Sequence, residues 1–239
     1  CKNLESFILR GSKTPAYDLT PFAGLEKLRF FRIDGDVLNT APVAALPELT
    51  ALQIGGSVTQ LDLSPLAGRD NLTAFFLTKR ALEGDTDLTP LKSHANLKQA
   101  TLPKLREGEL RPLLESWPNL QYLNVWGGPV TTDDLAALAT RRLEALSLSP
   151  DEPIDDFSPL AKQKELFRVQ ADRMTDAGLE SLAESVPGLK KLYLNGALLT
   201  DFSPLLRLEN LEQINMYVGD GLALRETLKD TAVEINNGL

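Results

Sequence analysis

The feature that most restricts this chain is a spacing. Leu4, Leu28, Leu49, Leu72, Leu97, Leu120, Leu143, Leu166, Leu189 and Leu211 each open the pattern L-x-x-L-x-L. Successive starts lie 21 to 25 residues apart, most often 23. The second and third anchors are apolar or small, as in Phe31/Ile33, Leu52/Ile54, Phe75/Leu77, Leu123/Val125 and Leu192/Leu194. A degenerate last unit is expected at Val233 and Ile235, with Asp230 in the first-anchor place. Alternation within the pattern marks a short strand. Roughly 17 residues per unit remain for the return, enough for a crossover between parallel strands. One such unit cannot bury its apolar side, so the units must stack.

The return segments repeat too. Asp18-Leu19-Thr20-Pro21-Phe22, Asp62-Leu63-Ser64-Pro65-Leu66, Asp87-Leu88-Thr89-Pro90-Leu91, Asp156-Phe157-Ser158-Pro159-Leu160 and Asp201-Phe202-Ser203-Pro204-Leu205 share one motif. Thr132-Asp133-Asp134-Leu135 and Thr175-Asp176-Ala177-Gly178-Leu179 share another. Together with the leucine spacing, the first motif resembles bacterial internalin-like leucine-rich repeats. The second resembles ribonuclease-inhibitor-like bacterial repeats. The resemblance covers essentially the whole chain. It implies an α/β fold, a leucine-rich-repeat solenoid or horseshoe. A parallel β-sheet would line the concave face, with short helices or turns on the convex face. The expected organisation is a single domain over 1–239, with about ten regular units and a degenerate capping unit at 228–239. No N-terminal cap is expected ahead of the first unit. The family's frequent asparagine at the ninth position is missing here. That column reads Ser12, Asp36, Ser57, Arg80, Leu105, Gly128, Asp151, Met174, Ala197 and Gly219. Other groups must then satisfy the turns.

The recurrent Asp, Ser and Thr residues are read as structural. Thr20, Ser64, Thr89, Ser158 and Ser203 are expected to be helix N-caps, with Pro at the first helical position and Asp bracing the turn. Loss of one hydroxyl should then cost about 1 kcal/mol. An active site is normally unique, whereas these motifs recur once per repeat.

Composition narrows the function. The net charge is -8 and the sequence pI about 4.8. A phosphate backbone or an anionic membrane would be repelled overall, so no nucleic acid is expected as partner. One Cys and one His exclude a disulfide framework and the usual Cys/His zinc site. The acidic stretch Asp151-Glu152-Pro153-Ile154-Asp155-Asp156 lacks EF-hand spacing and reads as a solvated turn. His94 falls at a repeat entrance, expected at the outer edge, without the second group that a nucleophile–base pair requires. No metal, cofactor, catalytic residue or transmembrane segment is expected, and the chain is read as a non-enzyme and a monomer. Cys1 is read as the start of a fragment; the sequence does not fix the compartment, and a cytoplasmic protein is favoured. The alternative is a lipid-anchored protein carrying its lipid on Cys1.

Function is expected on the sheet face, where the third, fifth and seventh positions of each unit point outward. Tyr122, Asn124 and Trp126 occupy those places in one unit. Arg168, Asp172, Lys191, Tyr193, Asn215 and Tyr217 occupy them in later ones, and Phe76 in an earlier one. Aromatic residues with a polar surround are typical of interface hot spots. Phe76 follows Phe75, and a small register change would exchange the two. The expected function is a non-enzymatic module that binds a partner protein on this face. It would serve as the recognition arm of a larger bacterial protein or as a free-standing adaptor or immunity-type binder. A surface-anchored lipoprotein and a carbohydrate-binding repeat protein are the alternatives.

Overall fold

A computed structural model describes residues 2–10, 16–37, 39–55, 61–78, 86–217 and 221–237. Cys1, Ser12, Ser57, Arg80 and Gly219 lie outside the described residues. The chain divides into two compact units. The first is Cys1–Leu105 with Pro112–Leu120, and the second is Arg106–Arg111 with Gln121–Leu239.

The first unit carries β1 (Ser6–Arg10), β2 (Phe30–Asp34), β3 (Ala51–Gly55), β4 (Ala74–Leu77) and β5 (Gln99–Lys104). Each pairs in parallel with the next in chain order. The second carries β6 (Tyr122–Gly127), β7 (Ala145–Leu148), β8 (Arg168–Asp172), β9 (Lys191–Asn195), β10 (Gln213–Met216) and β11 (Glu234–Asn237), again parallel and in chain order. Register follows the repeat. Phe31 pairs with Leu52, Leu52 with Phe75 and Phe75 with Ala100. In the second unit the corresponding rung is Leu123, Leu146, Val169, Leu192 and Ile214. These rungs are buried, and each fully buried large side chain contributes about 1.5–3 kcal/mol. Phe75 is fully buried and Phe76 half-buried, so the expected register holds at that pair.

The last unit departs from expectation. Ile235 pairs with Ile214, but Glu234 stands opposite Gln213 and Asn237 opposite Met216. The first-anchor place therefore falls on Ala232, not Asp230, and Val233 lies off the rung. Backbone pairing with β10 sets the frame here, because the closing strand has no leucine pattern of its own to hold another.

The return segments take two forms. Thr132–Ala136 (α3) and Asp176–Ser185 (α4) are α-helices with side-chain caps. Thr131 and Asp134 form a reciprocal capping box on α3, and the Thr175 hydroxyl accepts Gly178 N–H at 3.1 Å on α4. α4 lies so close to the preceding repeat that a Cβ on Gly178 would sit 2.6 Å from the Ile154 carbonyl. Ala41–Ala44 (α1), Leu110–Ser116 (α2) and Gly221–Thr227 (α5) complete the α-helices of the described residues.

The Asp-x-Ser/Thr-Pro segments are 3-10 turns instead, at Thr20–Phe22, Ser64–Leu66, Thr89–Ser93, Ser158–Leu160 and Ser203–Arg207. Here the expected hydroxyl caps are not found, whereas the expected brace by aspartate is. None of Thr20, Ser64, Thr89, Ser158 or Ser203 sits at the N-cap, and no side chain caps these turns in the usual sense. Each residue stands one place later, and its own backbone N–H donates to the aspartate two residues upstream at 2.8–2.9 Å. A tight turn of one 3-10 cycle places the Asp carboxylate, not the hydroxyl, beside the open N–H. Hydrogen bonding from the Thr or Ser side chain, and after it this backbone bond, holds the carboxyls of Asp18, Asp62 and Asp156 below the ordinary Asp range.

An asparagine ladder does exist, at a different position from the one anticipated. Asn71, Asn96 and Asn119 each stand just before the first leucine of a repeat in the first unit. Their side-chain amides donate to the carbonyls of Pro47, Asp70 and Ala95, one repeat back, at 2.7, 2.7 and 3.0 Å. Trp117 reinforces the same layer. It is fully buried and donates Nε1–H to the Leu91 carbonyl at 2.9 Å. His94 is likewise fully buried, contrary to its expected place at the outer edge. Its ring fills the corner between repeats, with Nδ1 2.8 Å from the Arg69 carbonyl.

Candidate functional site

On the second unit the sheet leaves alternate side chains uncovered. β6 reads half-buried, buried, half-buried, buried, half-buried, buried, and β8 and β9 alternate in the same way. Tyr122, Asn124 and Trp126 therefore share one face of β6. Gln170, Asp172, Lys191 and Tyr193 lie half-buried on the same sheet face, with Arg168 exposed. Tyr217, just past β10, is 57% exposed. Asn215 differs from the others. It is 8% exposed, flanked in register by Tyr193 and Asn236, and its amide oxygen lies 3.4 Å from Gln213 Nε2. It belongs to the floor of the face more than to its surface. Phe76 lies on the sheet of the first unit, in register with Gln53 and Thr101.

Polar contacts at the strand entrances position the face. The Tyr122 hydroxyl donates to Glu144, the residue that precedes β7. That bond, with burial and the Glu144 charge, raises the phenol above its ordinary value, while Arg168 nearby acts in the opposite sense. Lys190 pairs with Glu212 at 2.8 Å. Arg168 and Lys191 stand directly opposite each other in register, an arrangement of like charges that costs stability in a sheet.

Two atoms on β6 stand out. Asn124 Oδ1 and Trp126 Nε1 are buried and have no hydrogen-bond partner among the described residues. One is an acceptor and the other a donor, two residues apart on the outward face. Leaving a buried polar atom unpaired costs about 1–3 kcal/mol, so such atoms are rare in native structures. The strand's alternation exposes the Asn and the Trp to view in the sequence. Which of their atoms lack partners depends on the neighbouring strands.

The acidic stretch from Asp151 to Asp156 is occupied with internal bonds. Asp155 accepts from the Thr175 hydroxyl, and Asp156 accepts Ser158 N–H at 2.8 Å. Among the described residues no group of three or more His, Cys, Asp or Glu is placed to hold a metal ion. Among them, too, no helix is long and apolar enough to cross a membrane.

No family model matches the chain. Solved structures do. An internalin (inlF) from Listeria monocytogenes superposes with a TM-score of 0.64 at 21% identity, over 93% of this chain and 70% of that one. The chain has the leucine-rich-repeat fold. Larger leucine-rich-repeat structures agree. The TLR13–ssRNA13 complex gives a TM-score of 0.61 at 17% identity, over 99% of this chain and 36% of that one. The mouse RP105/MD-1 complex gives 0.57 at 19%, over 90% and 39%. The leucine-rich-repeat sheet explains why aromatic and polar side chains alternate with buried leucines on every strand.

One cluster went unread in the sequence. Arg141, Arg142, Lys162, Gln163, Lys164 and Glu165 line an open groove of about 270 Å³ near the entrances of β7 and β8. The signal was available in the column before the first leucine, where Asn119 gives way to Arg142 and then Glu165.

Proposed function

We propose that this chain is a non-enzymatic protein-binding module whose contact surface is the outward sheet face of β6 to β10. The observation that carries this reading is the unpaired donor and acceptor on Trp126 and Asn124. Both atoms are covered by neighbouring groups, and a sheet that serves only as scaffold gains nothing from leaving them unpaired. A partner that reorders these side chains on docking would satisfy both. Tyr122, Tyr193 and Tyr217 supply apolar area around them. Arg168, Lys191 and Asp172 supply orientation and selectivity. The adverse Arg168–Lys191 neighbourhood favours a partner that brings a carboxylate to that point. The fold supports the reading in a general way, since repeat sheets offer extended surfaces for binding. The module would act as the recognition arm of a larger protein or as a free-standing binder.

The test compares the wild-type chain with the double variant Tyr122→Ala, Trp126→Ala in affinity capture, followed by calorimetry with each purified captured protein. The reading requires a partner whose affinity falls at least about a hundredfold, as loss of two hot-spot aromatics should cause. Equal capture and equal affinity by the double variant would refute it.

A further inference from the structure

β9 ends on Asn195, and Gly196 follows it. This dipeptide sets a side-chain amide beside a main-chain nitrogen that no Cβ shields. Both halves are accessible. Asn195 is exposed, and its side-chain amide has no hydrogen-bond partner among the described residues. Gly196 takes φ 59° beyond the strand, and nothing lies within 4 Å of the place a Cβ would occupy. Other asparagines lack one condition or another. Asn71, Asn96 and Asn119 are held by the ladder carbonyls, and each precedes a leucine. Asn39 accepts Ala41 N–H at 2.8 Å, and Asn215 is buried. Asn3 and Asn210 are exposed but precede leucine, whose side chain crowds the nitrogen. The pair Asn237-Gly238 runs outside the described residues.

We infer that Asn195 is a site of spontaneous covalent modification, converting to aspartate and isoaspartate through a cyclic imide. The Gly196 main-chain nitrogen attacks Asn195 Cγ and bonds to it. The Cγ–Nδ2 bond breaks, the proton of the Gly196 nitrogen passes to the leaving amide, and ammonia departs. Water then adds to one of the two imide carbonyls. Addition at Cγ restores the main chain and leaves aspartate. Addition at the main-chain carbonyl carries the chain through Cγ and leaves isoaspartate. One water is consumed and one ammonia released, and nothing is oxidised or reduced. The backbone of Asn195 must leave its extended conformation for the attack, and its place limits what has to open. On the β10 side the ladder stops at Leu194 and Met216, and on the β8 side Asn195 is the last paired residue, opposite Asp172. The Asn195 carbonyl accepts Arg173 N–H at 2.9 Å. Fraying a strand end costs far less than unfolding the domain. Aspartate at this place faces Asp172 directly, and like charges directly opposite disfavour pairing. Isoaspartate adds a carbon to the main chain. Both products change the sheet face where β8 and β9 end.

The test holds the folded full chain at pH 6.5 and pH 8.5 and samples it by tryptic mapping and mass spectrometry. Cleavage after Lys191 and Arg207 isolates Leu192–Arg207, in which Asn195 is the only asparagine. This peptide should gain the acid form with time, faster at pH 8.5, because base removes the proton from the attacking nitrogen. The acid form should separate into two products of equal mass, aspartate and isoaspartate. The peptides that carry Asn71 and Asn96 should stay unchanged over the same period. Gly196→Ala should slow the conversion at least about tenfold. Strain at φ 59° can only loosen this variant, so slowing reports the shielded nitrogen. Retention of the Asn195 amide while the urea-unfolded chain converts overturns the inference. So does an unchanged rate in Gly196→Ala, equal conversion at Asn71 or Asn96, or aspartate as the sole product, which marks direct hydrolysis. The readout is covalent, so either result leaves the sheet-face reading to its own test.

Discussion

His94 gives this protein a pH dependence that can be worked out from its surroundings. The ring is fully buried, and the Arg69 carbonyl can only accept, so Nδ1 carries the proton and donates. Nε2 is then the lone-pair nitrogen, buried and without a partner among the described residues. A second proton would place a charge where nothing accepts it. Burial therefore pushes the imidazole below its ordinary value, and Arg69 adds to this, while the Arg69 carbonyl and Asp70 partly oppose it. The sign follows. The unfolded chain takes up a proton near pH 6.5, and the folded chain resists it. Stability is complete above that pH and is lost as pH falls, until the folded value is passed. One unit below, at pH 5.5, the loss approaches about 1.4 kcal/mol if the folded ring is still neutral. The carboxylates held by hydrogen bonds do not obscure this window. Asp18, Asp62, Asp156 and Asp176 are all held below 3.8, so their contributions fall away only in stronger acid. The assay is urea denaturation at pH 7.5, 6.5 and 5.5, read by the fluorescence of Trp117, which is buried in the same unit. Trp126→Phe removes the only other tryptophan. His94→Asn keeps a donor near Nδ1 and removes the titration. It should start less stable and lose almost nothing between pH 7.5 and 5.5. If His94→Asn loses as much as its parent over that range, the assignment of the effect to His94 is wrong.

Three further outcomes follow from the packing and the turns. Trp117→Ala should cost about 3–5 kcal/mol in urea denaturation. Trp117→Phe should cost far less, because the Leu91 carbonyl keeps its second donor, His94 N–H at 3.2 Å. Asp62→Ala should lower the thermal midpoint more than Ser64→Ala does, because the aspartate accepts the Ser64 N–H; the difference should shrink as pH falls through the lowered Asp62 value. Arg173 is the one non-glycine in the left-handed region among the described residues, at φ 58°, where Gly196 at φ 59° closes the next strand. Arg173→Gly should therefore raise stability by about 1 kcal/mol in the same denaturation assay.

The leucine spacing by itself determined the strands, their parallel order and their register. Each strand's alternation fixed which residues are buried, and the 23-residue interval returned the same column to the next rung, so Leu123 meets Leu146 and Phe75 stays inside while Phe76 does not. Such features depend on periodicity, which a sequence records directly. The closing unit broke the rule because it lacked the pattern, and backbone pairing chose a frame two residues away. The rest depended on which backbone group the neighbouring turn presents, and tertiary structure alone decided it. The ladder runs through Asn71, Asn96 and Asn119 because those amides face the carbonyls one repeat behind. His94 is inside and Asn215 covered because of what lies across from them on other repeats. Arg142 and Lys164 meet only after a full turn of the solenoid has passed between them, since position along a repeat is written in the chain and proximity between repeats is made by stacking.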